Sequence, residues 1–540
     1  MLIGKSAPAA AIVGALCAFA IAGCGGDSDS SSTTDTSASK GGGGGAAATG
    51  ALRSGGTLTA ALTAEPDYLD PARAQSGQSW QALVPICEGL YALDGGATKP
   101  QLAVGEPVLR DGGKTVTIRL RRGVRFNDGT PFDAEAVKTS LLRNHRTSVL
   151  FQGIPLEQVL TPSADTIVLK LAAPYAPLIS DLAGPGGMIA SPAQLEKLGD
   201  RFGDDPVCVG PFEFVSRRAG DAITLRRAPG YYDADRVKLD ELVFKIMPDE
   251  DARSTSLRSG TIDVALDPAD AEGLAGDDAL RVAEVPGAGW HGVYFNVGNS
   301  AGMGKPLAPR DSALGRSAAV RRAFERTLDR EALLSLGHDA GADVSCSIIS
   351  TTSSLRSDVP CEANADPEAA RQLLEEAGVE TPVKAQLNVS ASPDLLREAQ
   401  AIQAMAREGG FEVEIDQCDV ASCIKRLIGG DFDLALGGFS GFPDPDPSIS
   451  PFVSTRGGFN FVGMSDPELD RLLEQARAAS GDEAERRQLY ARALEIVSEQ
   501  LPLAVIGNPG VTVASRSDVG GFEVSASEIV DFTGAGFTQG

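Results

Sequence analysis

Between residues 57 and 436 the chain returns again and again to short runs in which apolar and polar residues alternate, with helical periodicity between them. The runs 57–63 (TLTAALT), 115–121 (TVTIRLR), 166–171 (TIVLKL), 241–247 (ELVFKIM), 261–266 (TIDVAL), 384–389 (KAQLNV), 411–416 and 432–436 (FDLAL) read as strands. A period of two puts every second side chain on one face of a sheet. Helices dominate the second half. Asp366-Pro367 opens one that runs to Gly378: aspartate caps free N–H groups, proline fits the first helical position and glycine suits the end. Asp466-Pro467 opens another, with Leu469, Leu472, Leu473 and Ala476 on one stripe. The segments 482–499 and 320–336 give two more. Strands alternating with helices predict α/β layers. A length of 540 residues corresponds to about three to four compact units, and no internal repeat divides them. The stretch 299–317, rich in Gly, Pro and Arg, is expected to be a surface loop.

Composition narrows the chemistry. Hydrophobic residues make up 42% of the chain and charged residues 22%, enough to bury a core. Acidic residues outnumber basic ones by 73 to 48, for a net charge of −25, which opposes binding to nucleic acid because phosphate neutralisation needs a basic surface. Only three histidines occur (His145, His291, His338), no two close together, so neither a His-rich metal site nor His-based acid–base catalysis is expected. No cofactor is called for. A secreted hydrolase is the reading from another class, and the lack of a GxSxG nucleophile elbow speaks against it.

Residues 1–23 have the order of an export signal: one basic residue (Lys5), an apolar run from Ala9 to Ala20, then small residues. Ile21-Ala22-Gly23-Cys24 resembles the lipobox of bacterial lipoproteins, which implies that Cys24 is lipidated and becomes the first residue. Two or more acyl chains would then attach the protein stably to a membrane. The rest of 24–54 is Gly-, Ser- and Thr-rich, without an aromatic or β-branched aliphatic residue. It reads as a disordered tether reaching on the order of 30 Å. The chain is expected to be exported, at the outer face of the cytoplasmic membrane or in the periplasm.

Of the eight cysteines, Cys17 leaves with the signal and Cys24 takes the lipid. The six others form an even set, as disulfides in an exported protein require, although six cysteines allow 15 pairings. Cys346–Cys361 and Cys418–Cys423 are the expected local pairs, and elimination leaves Cys87–Cys208. Free buried thiols remain the alternative, chiefly for the long-range pair. The absence of CxxC spacing disfavours zinc.

Several motifs carry a wider resemblance. Gly55-Gly56-Thr57-Leu58, Tyr68-Leu69-Asp70-Pro71 and Glu88-Gly89-Leu90-Tyr91 come early. The long run LRDGGKTVTIRLRRGVRFNDGTPFDAEAV spans 109–137 and is the most specific. Val209-Gly210-Pro211-Phe212, Tyr294-Phe295-Asn296, the helix 320–324 with Leu328-Asp329-Arg330, Gly430-Asp431-Phe432-Asp433-Leu434 and Asp444-Pro445-Asp446 follow. From about residue 55 to 524 the chain resembles the extracytoplasmic solute-binding proteins of family 5, the peptide/nickel type that serve ABC importers. The resemblance implies an α/β fold of the type II periplasmic-binding-protein kind, two lobes plus an inserted subdomain around a hinge cleft. It divides the chain into lobe I (55–92, 207–290 and 505–540), the insert (93–206) and lobe II (291–504). It also implies a monomer that captures a small organic solute, peptide or peptide-like, and delivers it to a permease with its ATPase subunits. A nickel chelate or an oligosaccharide is the alternative cargo.

The aromatic residues Trp80, Trp290, Tyr294, Phe439, Phe442, Phe459 and Phe461 are candidates for lining the cleft, together with Tyr68, Asn296, Ser440 and Asn460. Only 5% of the chain is aromatic, so clusters of aromatics near loops carry weight. Trp290, next to the inferred hinge, is the preferred contact. Peptide-binding members of the resembled family place an aspartate shortly after a tryptophan in the loop that here reads Phe439-Ser440-Gly441-Phe442-Pro443-Asp444-Pro445-Asp446. That aspartate pairs with the peptide's amino terminus. Phe439 stands at the tryptophan position and Phe442 at the aspartate position, which argues against ordinary free-amino peptides. Asp444 and Asp446 either take over the aspartate's role or cap a turn. Asp before Pro favours the turn.

Overall fold

The computed structural model describes residues 51–149, 151–336, 342–357, 359, 361 and 364–539. Residues 1–50, which include the expected signal, Cys24 and most of the expected tether, and His338 lie outside the described residues. Among the described residues no helix is long and apolar enough to cross a membrane.

Lobe I is built on a seven-stranded mixed sheet. Its spatial order is Leu280–Val285, Val511–Arg516, Val264–Leu266, Thr57–Leu62, Glu241–Ile246, Ala222–Arg227 and Phe212–Arg218. Thr57–Leu62 runs parallel to both of its neighbours. Its alternation decides the layers: Leu58, Ala60 and Leu62 enter the main core with Phe244, Phe532 and Val513. Ala61 points the other way, into a small core with Leu257 and Leu274 from the helices Glu250–Arg258 and Ala271–Ala275. The 261–266 run becomes a strand only from Val264, because Asp263 accepts the Thr59 N–H through its side chain (2.8 Å).

The motif-rich run 109–137 folds as a hairpin, Val108–Arg110 with Thr115–Arg119, and a helix, Ala134–Thr147, capped by the Asp133 carboxylate on Ala136 N–H (3.0 Å). The hairpin joins Thr166–Leu171 and Leu156–Ser163 in a four-stranded antiparallel sheet over its own core. Arg143 on that helix makes a two-toothed ion pair with buried Asp70 (2.7 and 2.6 Å), which ties the insert to lobe I.

Lobe II carries a six-stranded sheet in the order Asp343–Val344, Leu503–Asn508, Trp290–Phe295, Leu434–Phe439, Val383–Ser390 and Phe411–Cys418. Every residue of Trp290–Phe295 is buried. Val293 and Phe295 face the core under the helices Ala318–Glu325, Pro367–Glu376 and Pro393–Glu408. Trp290 and Tyr294 face the other core, under Asp446–Val453, Pro467–Ala478 and Glu483–Gln500. The expected single helix 320–336 is two, Ala318–Glu325 and Arg330–Leu334. Thr327 donates its hydroxyl to Phe324 O (2.7 Å), and Asp329 caps the second helix through Ala332 N–H (3.0 Å). These side chains give the backbone partners that a continuous helix would otherwise supply. The stretch 299–317 is mostly loop, with a single turn of helix at Ala313–Arg316.

All three expected disulfides are present: Cys87–Cys208, Cys346–Cys361 and Cys418–Cys423. The chain passes from lobe I to lobe II between Val285 and Trp290 and returns between Asn508 and Val511. The two crossovers lie side by side. Asn508 donates to Gly289 O (2.9 Å), and a Cβ on Gly287 would sit 2.0 Å from Pro509 O.

Candidate functional site

The lobes meet at a seam where Phe442 of lobe II stacks on Trp80 of lobe I, and local structure sets each ring in place. Asp67 accepts the Gln75 N–H (3.0 Å) and the Ser76 hydroxyl (2.7 Å), and Ser76 caps the helix Gly77–Leu83. That helix presents Trp80, which is 6% exposed. From lobe II, the loop after Leu434–Phe439 turns at Gly441, whose φ is +75°. A Cβ there would meet Ala288 O at 2.2 Å, so the turn can pass against the crossover only as glycine. The turn sends Phe442 into lobe I, where it stacks on Trp80 (centroids 5.2 Å apart, planes at 25°) and lies over Gly184.

From Phe442 the contact is continuous. Phe439 lies 5.9 Å away, Phe452 5.1 Å beyond it, then Phe459 at 5.4 Å and Phe461 at 5.9 Å. Tyr294 meets Phe461 at 6.5 Å, and Trp290 packs on both Tyr294 (5.4 Å) and Phe452 (5.1 Å). Seven of the eight aromatic candidates for the cleft lining therefore fall on one path, and Tyr68 does not. Phe452 completes it and was missed, because it sits in an apolar helix that reads as ordinary core.

The path runs from core to seam, and this separates the roles of its members. Trp290, the preferred contact residue, is 0% exposed and donates its indole N–H to Ser448 O (3.1 Å), so in this structure it anchors the helix Asp446–Val453 to the sheet. Period-two alternation assigns it a face but does not say which face looks outward. Asn296 holds Gly430 O (3.0 Å), Phe432 O (3.2 Å) and Asn299 N–H (2.9 Å). Asn460 holds Ser454 O (3.0 Å), Met464 O (2.7 Å) and Met464 N–H (2.9 Å). Both asparagines brace loops within lobe II. Tyr68 is 39% exposed, with the Arg73 guanidinium 4.1 Å over its ring.

The two loop aspartates are engaged. Asp444 pairs with Arg486 (2.8 Å), and its N–H reaches the Ser180 hydroxyl of the insert (3.4 Å). Asp446 is 3% exposed, pairs with Arg477 (3.0 Å) and accepts the Ser450 hydroxyl (2.5 Å). Burial lifts the Asp444 carboxyl above its ordinary range, with Arg486 opposing. Ser440 lies 3.5 Å from where a Gly77 Cβ would be. Close by, burial pushes Glu528 up to about 8; repulsion from Asp267 adds to this and the Ser440 hydroxyl opposes it. Glu528 Oε1 has no hydrogen-bond partner among the described residues. Glu528, Arg477 and Arg486 carried no local sequence signal for the seam.

His291 is buried against Glu398 (2.9 Å). Among the described residues no group of three or more His, Cys, Asp and Glu side chains is placed to hold a metal ion.

The family model described as bacterial extracellular solute-binding proteins, family 5 Middle, matches residues 97–460. The chain is 28% identical over 521 residues to the di/tripeptide-binding protein 2 of Pseudomonas aeruginosa (strain UCBPP-PA14), covering 88% of this chain and 94% of that one. It is 26% identical over 457 residues to the glutathione-binding protein GsiB of Escherichia coli (strain K12), covering 80% and 85%. Its fold superposes on the periplasmic binding protein DppA from Helicobacter pylori in complex with the peptide STSA, with a TM-score of 0.80 at 21% identity, covering 90% of this chain and 99% of that one.

Proposed function

We propose that this chain, which belongs to the bacterial extracellular solute-binding proteins of family 5, is a lipid-anchored receptor that grips a peptide-like solute at the aromatic seam and delivers it to an ABC permease. Proteins of this family bind substrates for ABC transporters and are not enzymes. Their two-lobed type II periplasmic-binding-protein fold is the fold of this chain. The finer reading, of cargo, anchor and delivery, rests on what the seam offers.

The observation that carries it is the position of Phe442. At the loop position where a carboxylate would meet a free amino terminus stands a ring stacked on Trp80. The neighbouring carboxylates, Asp444 and Asp446, are held by Arg486 and Arg477. A solute gripped here is met mainly by aromatic faces and by backbone groups of the loop 437–442. That favours a peptide whose amino end is blocked, cyclised or linked through a side chain over an ordinary free-amino dipeptide.

Thermal unfolding with a ligand panel tests the reading. Saturation at 100 Kd stabilises by about 2.7 kcal/mol, well above detection. N-acetylated or cyclic dipeptides should raise Tm at least as much as the free dipeptides. A rise with oligosaccharides or nickel–histidine and none with any peptide would overturn the cargo assignment. Mass analysis of the mature amino terminus tests the anchor, since a diacylglyceryl Cys24 is expected and an unmodified Cys24 would refute it.

A further inference from the structure

On the insert side of the seam lies a buried charge cluster that the solute reading does not use. Its members come from both sides. The insert contributes Tyr175 and Asp181, with Asp181 on the helix Leu178–Ala183. Lobe II contributes Asp444, Asp446, Arg477, Arg486 and Tyr490. Asp181 is 7% exposed, Tyr175 9%, Asp446 3%, Arg486 8% and Tyr490 0%. Arg486 also reaches the Tyr490 hydroxyl (3.2 Å). Two hydrogen bonds stitch the sides together: Ala176 N–H donates to Arg477 O (2.7 Å), and Asp444 N–H donates to the Ser180 side-chain Oγ (3.4 Å).

The charges do not balance. Three carboxylates face two guanidinium groups, and each guanidinium already has its own aspartate within lobe II. Asp181 is the remaining carboxylate. Its contact is the Tyr175 hydroxyl, which donates to Oδ2 (2.8 Å). The hairpin strands Tyr91–Asp94 and Ala97–Pro100, which also pack on the Asp181 helix, bring Tyr91, Asp94 and Lys99. Lys99 is spent on Asp94 (3.6 Å) and Glu523 (3.2 Å). An isolated carboxylate buried beside two others is stable only in its neutral form.

We propose that closing the seam takes up one proton, carried by Asp181, so that contact between the insert and lobe II tightens as pH falls and loosens as it rises. Separation of the two sides would return Asp181 to water and to an ordinary carboxylic acidity near 3.9. Closed, burial holds it well above that range; Asp446 and Asp444 add to the rise, while the Tyr175 hydroxyl and Arg477 oppose it. The linkage has a definite sign. The closed form binds more protons, so the closed-to-open ratio is highest below about pH 4 and falls by up to tenfold per pH unit until the closed-form value is passed. A receptor built this way holds its seam more tightly in acidic surroundings.

Hydrogen exchange on the protein without ligand tests this directly, because the Ala176 amide bond crosses the seam. Protection of the peptide spanning 175–183, corrected for the intrinsic pH dependence of exchange, should fall by up to tenfold per unit above about pH 4. In Asp181→Asn it should be higher and fall less steeply, the remaining slope coming from Asp444 and Glu528, which burial also raises. Asp444→Asn leaves two carboxylates against two guanidiniums and should shorten the range of the fall. The strand Glu241–Ile246, interior to the seven-stranded sheet, serves as the reference for global stability. Flat protection in the unsubstituted protein, or an unchanged slope in Asp181→Asn, would overturn the proposal.

Discussion

Phe442→Ala removes the ring that lobe II inserts into lobe I, and its cost can be worked from the contacts. The ring is 5% exposed, so truncation forfeits nearly the full burial of a phenylalanine, about 1.5–3 kcal/mol. The stack on Trp80 adds about 0.5–1.5 kcal/mol. Of the groups around the ring, Trp80 and Gly184 belong to the other side of the seam and Phe439 to its own. The loss of about 3 kcal/mol therefore falls on the contact between lobes more than on the core of either. At about 1.4 kcal/mol per factor of ten, the closed form loses about a hundredfold. Tryptophan fluorescence reads this out cleanly, because the chain has two tryptophans in opposite situations. Trp80 lies under Phe442, while Trp290 is 0% exposed within lobe II. In Phe442→Ala, Trp80 should shift to the red and become quenchable by iodide, while Trp290 stays dark to the quencher. A Trp290→Phe background isolates the signal. Unchanged quenching, or equal exposure of both tryptophans through general unfolding, would refute the assignment of Phe442 to the seam.

Three further outcomes are expected. Asp70→Ala strands the Arg143 guanidinium and should cost about 3–5 kcal/mol in denaturant unfolding, and an unchanged midpoint would deny the pair its role in fixing the insert. Burial raises the Glu88 carboxyl to about 7 against hydrogen bonds from Tyr231 and Tyr232, so its neutral form is favoured in the fold. Stability should thus decline as pH rises from about 4.5 through 7, a decline to which buried Glu528 and Asp181 also contribute, and Glu88→Gln should make it shallower; an equally steep decline in Glu88→Gln would contradict it. Paired Cys87→Ser and Cys208→Ser substitutions open a loop with a sequence separation of 121 and should cost about 4–5 kcal/mol in the chain-entropy picture, measured by Tm and denaturant midpoint, with no loss refuting the bond's contribution.

The sequence singles out the loop and the aromatics of the candidate site but not the part each plays, and the limits of that reading follow from particular residues. Seven of the eight aromatic candidates for the cleft lie on one path, with Tyr68 apart from it. Their depths along that path were hidden. Trp290 and Phe442 are equally apolar in sequence, yet one is locked beneath a helix and the other crosses between lobes. The turn role favoured for Asp444 and Asp446 was only part of the answer. Arg477 lies 31 residues from Asp446 and Arg486 lies 42 from Asp444, and both look like ordinary helix arginines.

What the sequence determined alone is what short-range physics controls. Asp366, Asp466 and Asp482 cap the helices they were expected to open, since a cap needs only an N–H within three residues. The α/β layering follows from strand alternation, and nearness in the chain singles out Cys346–Cys361 and Cys418–Cys423, whereas Cys87–Cys208, with a sequence separation of 121, is brought together by the fold. What only the tertiary structure decided is which side chains share a low-dielectric space. Asp181 becomes an unbalanced carboxylate because Ser180 beside it meets a backbone N–H 264 residues away, which brings two more aspartates with it. Charge counts in a buried cluster depend on every member at once, and no local pattern in the chain encodes them.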